Sequence, residues 1–234
     1  MAIVHRKENE LKSKIKDVQR IYNIYIITLI ITIILFFPVG IIVAVVFNIV
    51  YGKKFVEMKK YKKGLIGEEK TLALLENLDD SYHIFNDLNI VYDNKNSQVD
   101  IVVVGDNGIT IVESKNINGV IKGKIDDQQL KIKKTGRRGG IYYKTIYNPY
   151  KQVNTHVYRL SKYLKENRAN AWVSGVVFFQ PKKGLIFKKP ISVKGSENIF
   201  FYEGNDLINY IINKSESINP ETKKMIINNL LKVQ

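Results

Sequence analysis

From residue 21 to residue 52 the chain carries no charged side chain, and the strongly apolar part of this run covers residues 24–50. As a helix that part would reach about 40 Å, against a bilayer hydrocarbon core of roughly 30 Å. A cleaved signal peptide has an apolar stretch of about 7–15 residues followed by a small-residue cleavage site, and neither is met here. The run therefore predicts a retained membrane anchor. Phe37-Pro38-Val39-Gly40 interrupts it. Proline removes a backbone donor and glycine loosens a helix, so a kink or a turn belongs there. One kinked, tilted span is the simplest arrangement. A hairpin that dips in and returns is the rival, with each arm short of a full crossing. The flanks do not choose between them. Arg6, Lys7, Lys12, Lys14, Lys16 and Arg20 precede the run, and Lys53, Lys54, Lys59, Lys60, Lys62 and Lys63 follow it. This symmetry gives a single span no orientation and suits a hairpin with both flanks cytoplasmic. Either way the lysines anchor the flanks among lipid headgroups.

The 37 basic and 22 acidic residues leave a net charge of +15, which favours polyanionic partners such as nucleic acid or a lipid surface. A second basic region, residues 115–165, holds 13 basic and 2 acidic side chains. The chain has no cysteine, which excludes disulfides, thiolate metal sites and a cysteine nucleophile. Its histidines, His5, His83 and His156, are far apart in sequence, so a metal would be held mainly by oxygen.

After residue 63 the pattern becomes that of a folded domain. Leu65, Leu72, Leu75 and Leu78 recur at helical spacing, predicting a helix over residues 65–78. Residues 82–92, 98–104 and 109–115 read as strands, the last two joined through Gly105-Asp106-Asn107-Gly108. Residues 119–147 read as a basic excursion with short strands. Asn148-Pro149 supplies an N-cap and first-turn proline for a helix whose core stripe is Val153, Val157, Leu160 and Leu164. Residues 173–180 form a buried-type strand with Trp172 expected in the core, residues 185–202 suggest further strands, and residues 206–213 and 220–233 look helical. The order α-β-β-β-α-β predicts an α/β (α+β) domain around a central mixed sheet. The expected divisions are a basic flank (1–20), a membrane segment (21–52), a basic linker (53–63), the domain (64–203) and C-terminal helices (204–234).

The hairpin register locates candidate chemistry. A two- or four-residue loop pairs residues whose numbers sum to 213, so Asp100 lies opposite Glu113 and Gln98 opposite Lys115. Cross-strand partners share a face, with Cβ atoms about 5 Å apart, and Lys115 emerges on that face too. Facing carboxylates make physical sense around a divalent cation, and with an ammonium beside them they suit metal-assisted phosphodiester hydrolysis. Glu68 falls on the apolar side of its helix, aimed at the sheet. Gln152, His156, Arg159 and Tyr163 form a polar stripe on the later helix, either a solvated face or a contact for substrate, with His156 and Arg159 as nucleic-acid-binding candidates. Lys131, Lys133, Lys134, Arg137 and Arg138 form a basic loop for phosphates, with Tyr142, Tyr143, Tyr147 and Tyr150 near enough in sequence to stack on bases. His83 reads as an ordinary strand histidine.

Gly67-Glu68-Glu69, Gln98-Val99-Asp100, Glu113-Ser114-Lys115-Asn116, Gly119 and Asn148-Pro149-Tyr150-Lys151-Gln152 occur in an order that resembles the nuclease-related domain (NERD) family. That family is grouped with the PD-(D/E)XK nucleases, whose restriction-endonuclease-like core is αβββαβ. The resemblance covers residues 64–180 and implies that Asp100 and Glu113 are metal ligands, Lys115 the catalytic lysine, Glu68 the acid of the first helix and Gln152 the glutamine of the later one. Two positions depart from the superfamily pattern: Val99 precedes Asp100 where proline is usual, and His156 stands where tyrosine is frequent. The resemblance implies Mg2+ or Mn2+ as cofactor. The sequence therefore predicts a membrane-anchored, metal-dependent nuclease facing the cytoplasm, acting on DNA in preference to RNA. The alternative is a non-catalytic, membrane-tethered nucleic-acid-binding or sensing module. Retention of both acids and the lysine on one face favours the enzyme.

Overall fold

The computed structural model describes residues 1–6, 10–35, 37–136, 138–180 and 191–234. The chain divides into two compact units, residues 8–66 and residues 1–7 with 67–234.

The uncharged run does not form one span. Helix α1 (Glu10–Leu35) and helix α2 (Phe37–Leu75) lie side by side. Tyr22 stacks on Phe55 and Tyr25 on Phe47, with ring centroids 4.6 Å and 3.5 Å apart. Partners that fall on one helix as they rise on the other make the pair antiparallel. Gly40 allows a close approach of the two helices: a Cβ there would come 2.7 Å from Ile33 Cγ1. Both helices are long and apolar enough to cross a membrane. The hairpin thus replaces the single kinked span. The basic linker expected over residues 53–63 is also absent as a separate element, since α2 runs through it. Lysine, glutamate and methionine are good helix formers, and Gly52 and Gly64, which flank the stretch, do not break the helix.

The second unit is built on a six-stranded mixed sheet with the order β1-β2-β3-β4-β8-β10. Its strands are β1 (Ile3–His5), β2 (His83–Tyr92), β3 (Lys95–Gly105), β4 (Gly108–Lys115), β8 (Val173–Phe179) and β10 (Phe200–Phe201). β2, β3 and β4 form an antiparallel meander, and β4 pairs β8 in parallel through helix α3 (Pro149–Glu166). The end of α2, three strands, α3 and β8 give the expected αβββαβ order. Alternation along the strands builds two cores. On one face Val102, Val104, Ile109 and Ile111 meet Val153, Leu160 and Leu164 of α3, together with Ile226 and Leu230 of α5 (Pro220–Leu231). On the other, Ile101, Val103 and Val112 meet Leu72 and Leu75, and Leu207 and Ile211 of α4 (Gly204–Ile212). Each such fully buried aliphatic side chain contributes about 1.5–3 kcal/mol.

A smaller sheet, ordered β7-β6-β5-β9, consists of β5 (Val120–Lys124), β6 (Gln129–Thr135), β7 (Ile141–Tyr147) and β9 (Ile191–Lys194). Ile121, Leu130, Ile132 and Val193 join it to the α3-side core. Asn148 ties it to α3: its side chain accepts from the Tyr150 N–H at 3.0 Å and donates to the carbonyls of Ile125 and Asp127 at 2.7 and 2.8 Å. Trp172 does not enter the core. It is 67% exposed, because it precedes the first β4–β8 rung, Ile109↔Val173, and lies beyond the packed part of the strand. Residues 185–190, the first part of the segment expected as further strands, are outside the described residues.

Candidate functional site

β3 and β4 pair rung by rung from Gly105↔Gly108 to Ile101↔Val112, following the 213 sum, and stop there. Beyond that point β4 stays with β8 through Glu113↔Val177, Ser114↔Phe178 and Lys115↔Phe179. On its other side β3 pairs β2 from Asn86↔Ile101 to Leu88↔Val99, leaving out the rung between Asp87 and Asp100. Asp87 has φ of +57°, a left-handed conformation that aspartate tolerates better than most residues and that turns the backbone off the ladder. Asp100 therefore sits where both ladders are open. Its Oδ2 accepts the Ser114 backbone N–H at 3.1 Å, so a side chain takes the role of a strand carbonyl.

Strand alternation then separates the β4 side chains. Ser114 bonds Thr71 Oγ1 of α2 at 2.9 Å. Gln180 supports the same contact, its amide donating to the Gly67 carbonyl at 2.9 Å and to Thr71 Oγ1. Glu113 and Lys115 face α3. Lys115 Nζ donates to Glu113 Oε1 at 2.5 Å and to Gln152 Oε1 at 3.1 Å. His156 Nε2 lies 3.5 Å from Glu113 Oε2. The Glu113 side chain is 1% exposed and that of Lys115 is 25% exposed, so of the two it is the lysine that reaches solvent.

The electrostatics follow from burial and these neighbours. Burial and the Glu113 charge push the Asp100 carboxyl well above the usual aspartate range. Burial also opposes ionisation of Glu113, but the His156 ring and the Lys115 ammonium hold it below the ordinary glutamate value. For Lys115, burial disfavours the charge, yet the Glu113 and Asp100 carboxyls outweigh it and raise the ammonium's pKa. Two neighbouring acids are thus pushed apart in acidity, as expected for groups that share one site.

The other residues singled out from sequence are distributed as follows. Glu68 is half-buried near the end of α2, and its charge acts on both Asp100 and Lys115. Gln98 does not face Lys115: the ladder ends before that rung, and its amide donates to Asp87 Oδ1 at 2.5 Å. The amide of the patch is Gln152. His156 is buried beside Glu113 and not on an exposed polar stripe. Arg159 donates to the Asn96 carbonyl at 2.7 Å and to Ser97 Oγ, bracing the start of β3. Lys131, Lys133 and Lys134 lie on β6, with Arg138 exposed just after it, while Arg137 is outside the described residues. His83 is an ordinary member of β2, bonded to His5 at 3.1 Å.

Two features of the site go beyond what the sequence singled out, the burial of His156 against Glu113 and the break at Asp87. His156 was signalled by the 3-4-4 spacing of Val153, His156, Leu160 and Leu164, all buried on α3. The Asp87 break had no signal beyond a polar interruption in an apolar strand.

Among the described residues no three His, Asp or Glu side chains converge as a ready-made metal cage. The donor set nevertheless fits a hard divalent cation that keeps several waters. It offers two carboxylates, and among the described residues the buried Glu113 Oε2 makes no hydrogen bond, its His156 neighbour standing off at 3.5 Å. A cation would satisfy that oxygen and offset the carboxylate repulsion that opposes ionisation of Asp100.

Comparison with known proteins gives one family. The family model described as nuclease-related domain matches residues 63–180. No curated protein and no solved structure matches the chain.

Proposed function

The chain belongs to the nuclease-related domain family, within the restriction-endonuclease-like superfamily, and we propose that it is a membrane-tethered nuclease hydrolysing phosphodiester bonds of nucleic acid, DNA in preference to RNA. The observation that carries this reading is the Lys115 ammonium held between Glu113 and Gln152 beside an Asp100 carboxyl that resists ionisation.

Asp100 and Glu113 would hold Mg2+ or Mn2+. Bound there, such a cation supplies charge stabilisation at a phosphate and a more acidic water. Lys115 does a separate task. Its raised pKa keeps it an ammonium at neutral pH, which makes it an orienting and charge-stabilising group and not a base. An ammonium has three donors; two are engaged by Glu113 and Gln152, leaving one N–H for the attacking water or a phosphoryl oxygen. Gln152 fixes the lysine's direction, His156 fixes that of Glu113, and Glu68 adds a further carboxylate charge to the patch. The antiparallel α1–α2 pair tethers this domain to the lipid bilayer, and its lysine-rich flanks favour a cytoplasmic domain at the cell membrane.

The test is cleavage of single- and double-stranded DNA and RNA by the full chain in nanodiscs, with Mg2+, Mn2+ or chelator. Cleavage should need metal and vanish in Asp100→Asn and Glu113→Gln. Lys115→Ala should bind metal by calorimetry yet lose about 100-fold or more in turnover, the scale on which one transition-state donor acts. Parent-like cleavage by Asp100→Asn overturns the assignment. Nucleic-acid binding without cleavage under every metal identifies the non-catalytic module instead.

A further inference from the structure

The smaller sheet has one face in the core and one mostly in solvent, Val120 being the one buried strand position of that outer face, and the strand registers determine what the outer face carries. Lys122 on β5 is the rung partner of Lys131 on β6, and Lys124 is the partner of Lys194 on β9. Lys133, two residues along from Lys131, is opposite Tyr143 of β7, and Gln129 is opposite Tyr147. Residues two apart on a strand share a face, so five lysines and two tyrosines stand together. The opposite face takes Ile121, Leu130, Ile132 and Val193 into the core.

Three observations give this face a purpose. First, like charges directly opposite one another on a sheet are destabilising, and two lysine–lysine rungs occur here. No side-chain hydrogen bond or ion pair engages these five ammonium groups among the described residues. Second, no acidic side chain occupies the face: Val120, Thr135, Ile141, Thr145 and Ser192 are its remaining strand positions. Third, Tyr143 and Tyr147 are 60% and 51% exposed and stand four residues apart on an edge strand, about 13 Å at the usual rise. That distance spans about two nucleotides of an extended strand.

We propose that the outer face of the smaller sheet binds single-stranded nucleic acid, its lysines meeting the phosphates and Tyr143 and Tyr147 stacking on unpaired bases. Charge complementarity selects a polyanion. The aromatic pair selects unpaired bases, because a duplex hides base faces in its own stack while a single strand offers them to aromatic platforms. The inference rests on the nuclease reading above and narrows its substrate to strands with unpaired bases. It also reassigns the basic contribution: Lys122, Lys124 and Lys194 join Lys131 and Lys133, whereas Lys134 and Tyr142 alternate to the other face.

Binding is measured by fluorescence anisotropy on the full chain in nanodiscs of neutral lipid, in chelator so that cleavage is silent. The probes are a labelled 20-nucleotide single strand, in DNA and RNA forms, and a 20-base-pair duplex. Tyr143→Ala and Tyr147→Ala should each weaken single-strand binding about five-fold or more and change duplex binding less than about two-fold. Tyr143→Phe, which keeps the ring, should bind like the parent. Each of Lys122→Gln, Lys131→Gln and Lys194→Gln should lower the log–log salt slope by about 0.7 for the single strand. Equal losses on strand and duplex would overturn the proposal in favour of a phosphate-only surface. Unchanged binding in the tyrosine variants would overturn it outright, as would loss of affinity for vesicles containing phosphatidylserine with no loss for nucleic acid. The two readings fail separately: binding is read in chelator, so a protein that never cleaves under any metal leaves the platform standing, and cleavage with parent-like binding in the tyrosine variants removes the platform alone.

Discussion

At Asp100 the folded chain holds its proton more tightly than the unfolded chain does, since burial and the Glu113 charge both oppose ionisation. A group of that kind stabilises the fold below the ordinary aspartate pKa of about 3.9, and the stability is lost as pH rises through the raised value. Asp100→Asn removes the dependence. In chelator, the Tm of the parent should fall relative to that of Asp100→Asn as pH climbs from about 4 towards neutrality, and parallel curves over that window would reject the assignment. Glu113 has the opposite sign: its lowered pKa adds stability above the ordinary glutamate value, lost as pH falls through the lowered one. Lys115→Ala leaves this buried carboxylate without its ammonium, and urea melts should show a loss of about 3 kcal/mol. The Asp100–Glu113 relation was legible because strand pairing is arithmetic once the turn is located. The partners of Glu113 on α3 were less legible, because they come from another element and depend on how the helix is rotated against the sheet.

Among the elements, α3 is specified from both ends of the scale. Its N-cap and first-turn proline are local, while its docking depends on Gly175 of β8, where an added Cβ would lie 2.7 Å from Val157 Cγ2 and 2.9 Å from Val153 Cγ2. Gly175→Ala should therefore cost about 1–3 kcal/mol by overpacking, read as a lowered denaturant midpoint with an unchanged slope. Asn148→Ala should cost about 2 kcal/mol or more, because it removes a cap and also leaves the Ile125 and Asp127 carbonyls without their donor. The central strands could be read from alternation and turn residues. β1 could not, since three residues carry no period. The smaller sheet was visible only as basic strands, because its β5–β9 pairing joins residues about 70 positions apart and nothing local encodes such a contact. The continuity of α2 was hidden for the reverse reason: its composition changes from apolar to basic midway, although the helical backbone does not.

At the scale of the whole molecule, the two ends of the α1–α2 pair both lead into the unit that contains the acidic patch. The stretch before α1 supplies β1, which pairs in parallel with β2 through Ile3↔His83, Val4↔Ile84 and His5↔Phe85. Both ends must then lie on one side of any bilayer. Lys12→Cys and Ser217→Cys, on this cysteine-free background, should both resist an impermeant thiol reagent in intact cells and both react after lysis. Labelling of one alone would rule out the hairpin.

The pairing of β1 also bears on how the protein can be handled. A fragment begun after the long apolar helices, the obvious route to a soluble sample, would discard residues 3–5 and the carbonyl of His5 that receives the Gln234 amide. It would leave the His83–Phe85 end of β2 as a bare sheet margin, the kind of surface through which copies of a protein zip together. Precipitation of such a fragment would report a missing strand and not an unstable domain. Supplying residues 1–6 as a separate peptide, or joining them to residue 67 through a short linker, should restore solubility where detergent alone does not.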